Sequence, residues 1–216
     1  MTSKAILGAV LIYCLTVNAM AAENDNPVDL QMAIFAGGCF WCVEAAFEKL
    51  DGVSEVISGY TGGRAEQRSY KQVSKGGTGH YEAVEVVYDP QRMSYDQLLE
   101  AFWKNIDPYD DTGQFCDKGD QYRAAIFFRG AEQQEAAEAS KHALEISGAL
   151  TQPIATQILP AQRFWPAEDY HQDYYKKNPI RYRFYRTACG RDRRLNDVWS
   201  EIDVASVLAK QERAKD

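Results

Sequence analysis

Residues Ala33–Phe47 read AIFAGGCFWCVEAAF. The apolar run ahead of Gly37-Gly38 predicts a buried strand, and the two glycines predict a break after it. From Cys42 onward, apolar side chains recur at helical spacing, which predicts a helix. Cys39 would therefore lie at the amino-terminal end of a helix that follows a strand directly.

The predicted position of Cys39 favours a reactive thiol. Unpaired backbone N–H groups and the positive end of the helix dipole stabilise a thiolate, which lowers the thiol pKa from roughly 8.5. The two glycines ahead of Cys39 would let backbone amides approach whatever its sulfur attacks. We therefore predict that Cys39 is a nucleophile.

Residues Cys39-Phe40-Trp41-Cys42 also form a C-x-x-C pattern. This spacing permits a disulfide across the first helical turn and suits redox chemistry. Phe40 and Trp41 are candidates for an aromatic wall that would hold an S-methyl group and its sulfur. The alternative is a core segment with two half-buried structural cysteines.

Outward from this stretch, the sequence alternates predicted strands with predicted helices. Further strands are predicted at Val53–Ile57, Tyr81–Tyr88, Tyr122–Phe128 and Ile154–Leu159. Helices are predicted from Ser94 as N-cap to Asn105, at Ala131–Ser147 and at Val204–Lys215. Arg181–Trp199 is interpreted as a basic loop, and Phe164–Tyr175 receives no assignment. Both helices and long loops connect the strands, which favours an α+β fold with a mixed sheet flanked by helices.

The first 21 residues have the features of a secretory signal peptide. Lys4 precedes an apolar stretch, and Ala19-Met20-Ala21 is a small-x-small cleavage site. The predicted organisation is a signal peptide (1–21), a flexible leader (22–31), a catalytic domain (32–200) and a C-terminal tail (201–216). We expect an exported protein, periplasmic or secreted, and an uncleaved membrane anchor is the alternative.

Length and charge restrict the class of protein. The 216 residues suit one domain that buries a substantial core. The formal net charge of −7, without a basic cluster or an aromatic-basic stripe, argues against nucleic acid as a partner. We expect a monomer.

Four cysteines follow the predicted signal peptide: Cys39, Cys42, Cys116 and Cys189. An exported protein could join them in two structural disulfides, in any of three pairings. A domain of this size does not need such crosslinks, and the position of Cys39 favours redox chemistry. Apart from the C-x-x-C itself, no cluster has metal-ligand spacing, so no metal is expected.

Five stretches, in this order along the chain, carry a resemblance to a known family. They are GGCFWCVEAAF (37–47), GYTGG (59–63), GTGHYEAVEVVYDP (77–90), DKGDQYRAAIF (117–127) and FWPAEDYHQDYYKKNP (164–179). Together they resemble the peptide methionine sulfoxide reductase A family, whose fold is α+β with a ferredoxin-like core. The resemblance extends from Met32 to about Trp199.

The resemblance implies thiol-dependent reduction of methionine sulfoxide, in proteins or as the free amino acid, with the S epimer as the expected substrate. Cys39 would attack the sulfur and become a sulfenic acid. Glu82, which by itself reads as a surface strand residue, would be the acid with a raised pKa. Tyr60, Asp117 and Tyr122 match positions that direct hydroxyl and carboxyl groups at the sulfoxide oxygen. No bound cofactor is implied, and a thioredoxin-like protein or a dithiol would be the reductant.

The sequence leaves open which thiol resolves the sulfenic acid. Cys189 is slightly favoured, because family members with a tail cysteine use it, and Cys42 is a rival or a relay. Cys116 adds a third candidate, because Phe115-Cys116 departs from the residues that many family members have before the equivalent of Asp117.

Two other functions remain open from the sequence. A thioredoxin-like disulfide oxidoreductase would use Cys39 and Cys42 as its redox pair. An exported binding domain would hold its cysteines in disulfides and have no free thiol. His80 and His171 lie within the matched stretches and are expected to be structural.

Overall fold

A computed structural model describes residues 29–212, which form eight strands, eight α-helices and one 3-10 helix, Asp120–Tyr122. The strands are β1 (Gln31–Gly37), β2 (Val53–Thr61), β3 (Tyr81–Tyr88), β4 (Gly113–Gln114), β5 (Asp117–Lys118), β6 (Ala124–Phe128), β7 (Gln157–Pro160) and β8 (Trp165–Pro166). The helices are α1 (Phe40–Phe47), α2 (Tyr70–Val73), α3 (Tyr95–Trp103), α4 (Gly130–Ile146), α5 (Tyr174–Lys177), α6 (Pro179–Ala188), α7 (Arg191–Trp199) and α8 (Val204–Glu212).

Six strands form one mixed sheet in the order β7-β6-β1-β3-β2-β8. All neighbours are antiparallel except β6 and β7, which run parallel. β4 and β5 form a separate two-stranded ribbon. The mixed sheet with flanking helices confirms the predicted fold class.

The core lies against the central strand β1. Phe35 on this strand stacks on Phe47 of α1 and on Phe102 of α3, with ring centroids 4.9 and 5.3 Å apart. Trp103 is fully buried and donates its indole N–H to Ser140 of α4. α1 and α3 are therefore fixed on the sheet by aromatic packing, and the start of α1 is held next to β3.

Local signals placed several elements correctly. The Ser94 side chain accepts a hydrogen bond from the Gln97 backbone N–H, as expected of an N-cap. The prediction of a basic loop at Arg181–Trp199 is wrong, because α6 and α7 occupy this segment. Pro179 begins α6, and Gly190, at φ 71°, adopts the left-handed conformation that separates the two helices.

The predicted signal peptide, and residues 22–28 of the predicted leader, lie outside the described residues. Within residues 29–212, no helix is both long enough and apolar enough to cross a bilayer.

Candidate active site

A small cavity of about 60 Å³ opens at the start of α1. It is lined by Cys39, Phe40, Trp41, Tyr70, Glu82, Asp117, Tyr122 and Tyr185. Six of these eight residues were predicted from the sequence to belong to the site. The volume suits the end of one side chain rather than a whole residue.

The Gly-Gly turn places Cys39 at the N-cap of α1, as predicted. Gly38 has φ 82°, and a Cβ there would lie 2.6 Å from the Cβ of Gln114, so only glycine fits. The first backbone N–H of the helix, that of Phe40, donates to the Glu82 carboxyl group at 3.2 Å. Cys39 and Glu82 are thereby held together although they come from different elements.

Cys39 and Cys42 are free thiols and both are buried. Burial raises the pKa of Cys39 well above its ordinary value, and the hydrogen bond to Cys42 with the charges of Cys42 and Glu82 raises it further. The hydrogen bond from Cys39, with the positive charges of Arg191 and Arg186, lowers the pKa of Cys42 to about 6 against the effect of burial.

The prediction that the helix end lowers the pKa of Cys39 is therefore wrong for the structure without substrate. The helix N–H group that was expected to stabilise a thiolate binds Glu82, and the Cys39 sulfur is buried. The hydrogen bond between the two thiols thus raises the pKa of Cys39 and lowers that of Cys42, which favours the negative charge on Cys42.

Glu82 on β3 is a buried carboxyl group, with 2% of its surface exposed. Burial raises its pKa to about 8, and the charges of Asp117 and Cys42 act in the same direction against the hydrogen bond from Phe40. Glu82 therefore holds a proton at neutral pH, in agreement with the expectation of a raised pKa. A protonated carboxyl group can donate to an oxygen in the cavity.

The aromatic wall is fixed by contacts behind it. Trp41 stacks on Tyr174 with ring centroids 3.8 Å apart and donates its indole N–H to Nδ1 of His171 at 3.0 Å. Burial lowers the pKa of His171 to about 4, so its ring is neutral and accepts this bond. Phe40 packs against the same imidazole, 5.0 Å away. The ring nitrogens of His80 bond the backbone N–H of Gly63 and the carbonyl of Arg64, and neither histidine lines the cavity.

The structure brings Tyr122 to the cavity but not Tyr60. Tyr60 lies beside Glu82 in the register of β2 and β3, yet its hydroxyl donates to Glu168 at 3.0 Å. Tyr70, which the sequence did not indicate, takes the place expected of Tyr60, and its backbone N–H donates to the same Glu168 at 2.9 Å. Burial raises the pKa of Tyr70 to about 12 and also raises that of Tyr122, so both phenols remain donors.

Asp117 faces a second phenol that was not predicted. The Tyr185 hydroxyl of α6 donates to Oδ2 of Asp117 and lies within hydrogen-bonding reach of the Cys39 thiol. Burial raises the pKa of Asp117, while Tyr185, Arg191 and Lys118 oppose that effect. The segment containing Tyr185 was interpreted as a loop, and only the four-residue spacing of Tyr185 and Cys189 could have indicated a shared helical face.

Cys116 and Cys189 form a disulfide at the rim of the site. Cys116 is exposed and Cys189 is half-buried. The Cys189 sulfur is bonded to Cys116 in this structure, and its assignment as the resolving thiol stays a prediction. Cys42 is the free thiol that touches Cys39.

A larger groove of about 570 Å³ lies between α3, α4 and α8. It is lined by acidic, small polar and apolar residues and contains no thiol among them. The redox chemistry therefore belongs to the smaller cavity.

Comparison with known proteins identifies the family. Residues 31–203 match the family described as peptide methionine sulfoxide reductase. The chain belongs to this family. Among related reductases, MsrA of Bacillus subtilis is 49% identical over 169 residues, covering 78% of this chain and 96% of that protein.

A second related reductase is longer than this chain. The MsrA/MsrB protein of Vibrio cholerae is 46% identical over 198 residues, which are 89% of this chain and 52% of that protein. The chain thus spans about half the length of that protein.

Solved structures of methionine sulfoxide reductases share the fold. Reduced Mxr1 of Saccharomyces cerevisiae has a TM-score of 0.66 and 31% identity over 72% of this chain and 89% of that one. Methionine sulfoxide reductase A of Corynebacterium diphtheriae has a TM-score of 0.65 and 33% identity, and the match covers 72% of this chain and 78% of that one.

Proposed function

We propose a mechanism in which Cys39 and Cys42 reduce methionine sulfoxide inside the cavity. The protein is an oxidoreductase of its family, which returns methionine sulfoxide to methionine at the expense of thiols. One observation carries the mechanism: a free thiol and a protonated carboxyl group meet in one aromatic cavity, with a second free thiol beside the first.

The first step moves oxygen from the substrate sulfur to Cys39. Cys39 passes its proton to the Cys42 thiolate through the hydrogen bond that joins them, and its thiolate attacks the sulfoxide sulfur. Glu82 protonates the sulfoxide oxygen as the new sulfur–sulfur bond forms. That bond then breaks as the hydroxyl group moves to Cys39, which leaves methionine and a Cys39 sulfenic acid.

The phenols and the aromatic wall assist this step. Tyr70 and Tyr122 line the cavity as neutral donors, and we assign them hydrogen bonds to the oxygen as it gains charge. Asp117 completes this side of the cavity. Phe40 and Trp41 provide the apolar contact for the methyl group and sulfur of the substrate.

The second step resolves the sulfenic acid. Cys42 attacks the Cys39 sulfur, a disulfide forms, and the hydroxyl group leaves as water with the proton of Cys42. An external dithiol then reduces the Cys39–Cys42 disulfide. Its two protons restore the Cys39 thiol and the Glu82 acid, which returns the site to its starting state.

We assign the reductant to the thioredoxin-like class and the protein to an exported compartment. The signal-like sequence of residues 1–21 supports export. The Cys116–Cys189 disulfide supports it as well, because such bonds persist in oxidising compartments. The substrate is the S epimer, in proteins or as the free amino acid.

The test compares four proteins on a peptide that contains one methionine sulfoxide: wild type, Cys39→Ser, Cys42→Ser and Cys189→Ser. With thioredoxin as reductant, Cys39→Ser forms no methionine because the nucleophile is missing. Cys42→Ser forms its one equivalent more slowly, because the thiolate that accepts the Cys39 proton is missing, and then stops, because its sulfenic acid has no adjacent thiol. Cys189→Ser continues through repeated turnovers.

Separate S and R epimers of the peptide test the stereochemical assignment in the same assay. Equal turnover by all four proteins would contradict the mechanism. Repeated turnover by Cys42→Ser together with a single equivalent from Cys189→Ser would return the resolving role to Cys189.

The thioredoxin-like alternative fits the site poorly. Disulfide exchange has no use for a protonated Glu82 beside the thiol pair, and residues 31–203 match the methionine sulfoxide reductase family. The exported binding domain predicted no free thiol, and the structure has two.

A further inference from the structure

We propose that Tyr185 is a further catalytic residue and that the Cys116–Cys189 disulfide holds it over Cys39. The inference rests on the proposed function of the same cavity and assigns a role to two features that the mechanism above leaves unused. It predicts that reducing or removing the rim disulfide slows the chemistry at Cys39 itself.

Tyr185 touches the reacting groups directly. Its hydroxyl donates to Asp117 and reaches the Cys39 thiol, and its ring meets Trp41 edge-on with centroids 5.8 Å apart. The phenol therefore contacts the nucleophile, a polar wall and the aromatic wall of the cavity at once. As the proton moves from Cys39 to Cys42, the Tyr185 hydroxyl can turn its single hydrogen from Asp117 to the Cys39 thiolate and stabilise it.

The helix that carries Tyr185 is weakly held by apolar packing. No residue of α6 is fully buried, and Ile180 and Phe184 are 86% and 76% exposed. An element with so little buried apolar surface opens at low free-energy cost. Some other link must keep Tyr185 in place.

The disulfide supplies that link at both ends of the Tyr185–Asp117 hydrogen bond. Cys116 directly precedes Asp117, and Cys189 lies one turn after Tyr185, with its backbone N–H donating to the Tyr185 carbonyl at 2.9 Å. The two sulfurs and an Asp117 carboxylate oxygen lie within 4.8 Å of one another. Cys116 also donates its backbone N–H to the Cys189 sulfur at 3.2 Å.

This link joins segments that are 73 residues apart in the sequence. Phe115, next to Cys116, has φ 56°, an unfavourable conformation for a bulky residue that the surroundings must maintain. Its ring lies over the buried guanidinium group of Arg191 at 4.5 Å. The disulfide thus ties the Asp117 loop to α6, and without it each wall of the cavity can move independently.

The experiment uses the full wild-type chain as background, so that Cys42 is present to accept the Cys39 proton; without reductant it forms one equivalent of methionine before the Cys39–Cys42 disulfide closes. Protein purified without reductant is mixed with excess sulfoxide peptide, and the first equivalent of methionine is timed by rapid quench. Four proteins are compared: the background, the background with Tyr185→Phe, the background with Cys116→Ser/Cys189→Ser, and all of these changes combined.

We expect Tyr185→Phe to slow the first equivalent about tenfold or more, since removing one preorganised donor has large effects on rate. Removing the disulfide slows it several-fold. The combined variant is no slower than Tyr185→Phe alone, because the disulfide acts through the tyrosine. Tyr175→Phe, whose hydroxyl donates to Glu48 outside the cavity, is the matched control and leaves the rate unchanged.

Chemical denaturation shows whether each variant is folded. If the variants without the disulfide do not fold, the comparison of Tyr185→Phe with the background decides the outcome. Equal rates in all four proteins would overturn the inference and leave the proposed function intact. Strictly multiplicative losses would overturn the claim that the disulfide acts through Tyr185. If the background forms no methionine, the proposed function itself fails.

Discussion

At the scale of single residues, the site depends on where two protons are held. Glu82 keeps a proton to about pH 8 because it is buried, and Cys42 loses one near pH 6 because of Cys39 and two guanidinium groups. Between these values the site contains both an acid and a thiolate. The family resemblance could predict that Glu82 is the acid. It could not predict that the pKa of Cys42 is lowered instead of that of Cys39, because this depends on burial and on Arg191, which is far away in the sequence.

The first consequence is that the rate at which the first equivalent of methionine forms has a bell-shaped dependence on pH. The rate rises as pH passes about 6, where the thiol pair ionises, and falls as pH passes about 8, where Glu82 loses its proton. Glu82→Gln cannot donate a proton, so we expect the rate to fall about 100-fold or more and the upper limb to vanish.

Rapid-quench rates between pH 5 and about 10, with Glu85→Gln as the control on the same strand, check this prediction. Glu85 pairs with Arg129 away from the cavity. An upper limb that survives in Glu82→Gln would show that another group is the acid.

At the scale of elements, prediction succeeded where the signal is local. The Gly-Gly break and the apolar spacing after it placed Cys39 at a helix start, and Ser94 marked the start of α3. Prediction failed at α6 and α7, because α6 is rich in Arg and Tyr and buries no residue fully, and α7 has its apolar residues, Leu195, Val198 and Trp199, only in its second half. The confusion of Tyr60 with Tyr70 has another cause: Tyr60 lies on β2 and Tyr70 begins α2, and both contact Glu168, about a hundred residues later in the sequence.

Arg191 is the contact by which α7 is fixed to the site. Its buried guanidinium group donates to the carbonyls of Gly37 and Asn105 at 3.2 and 2.6 Å. Arg191→Met leaves these acceptors unpaired, so we expect the free energy of unfolding to fall by about 2 kcal/mol or more. The pKa of Cys42 should also rise, because a nearby positive charge is lost.

Urea unfolding and thiol titration measure these two effects. Arg193→Met on the exposed side of α7 is the control and should change the free energy of unfolding by less than about 0.5 kcal/mol. Equal stability of the two variants would contradict the role assigned to Arg191.

At the scale of the whole molecule, the mixed sheet brings distant segments of the chain to one cavity. β1 leads into Cys39, β3 carries Glu82, Asp117 begins β5, Tyr122 lies just before β6, and α6 closes the site with Tyr185. The fold class followed from the alternation of elements and from the family. The pairing of Cys116 with Cys189 could not be predicted, because the sequence is compatible with any of three pairings of these four cysteines.

The central claim is that Cys39 and Cys42 form the reacting pair and that the rim disulfide stays closed during the chemistry. The most direct measurement treats wild-type protein with one equivalent of sulfoxide peptide without reductant and maps its disulfides by proteolysis and mass spectrometry. The account predicts a new Cys39–Cys42 disulfide beside an unchanged Cys116–Cys189 disulfide. A bond from Cys39 to Cys116 or Cys189 would contradict it.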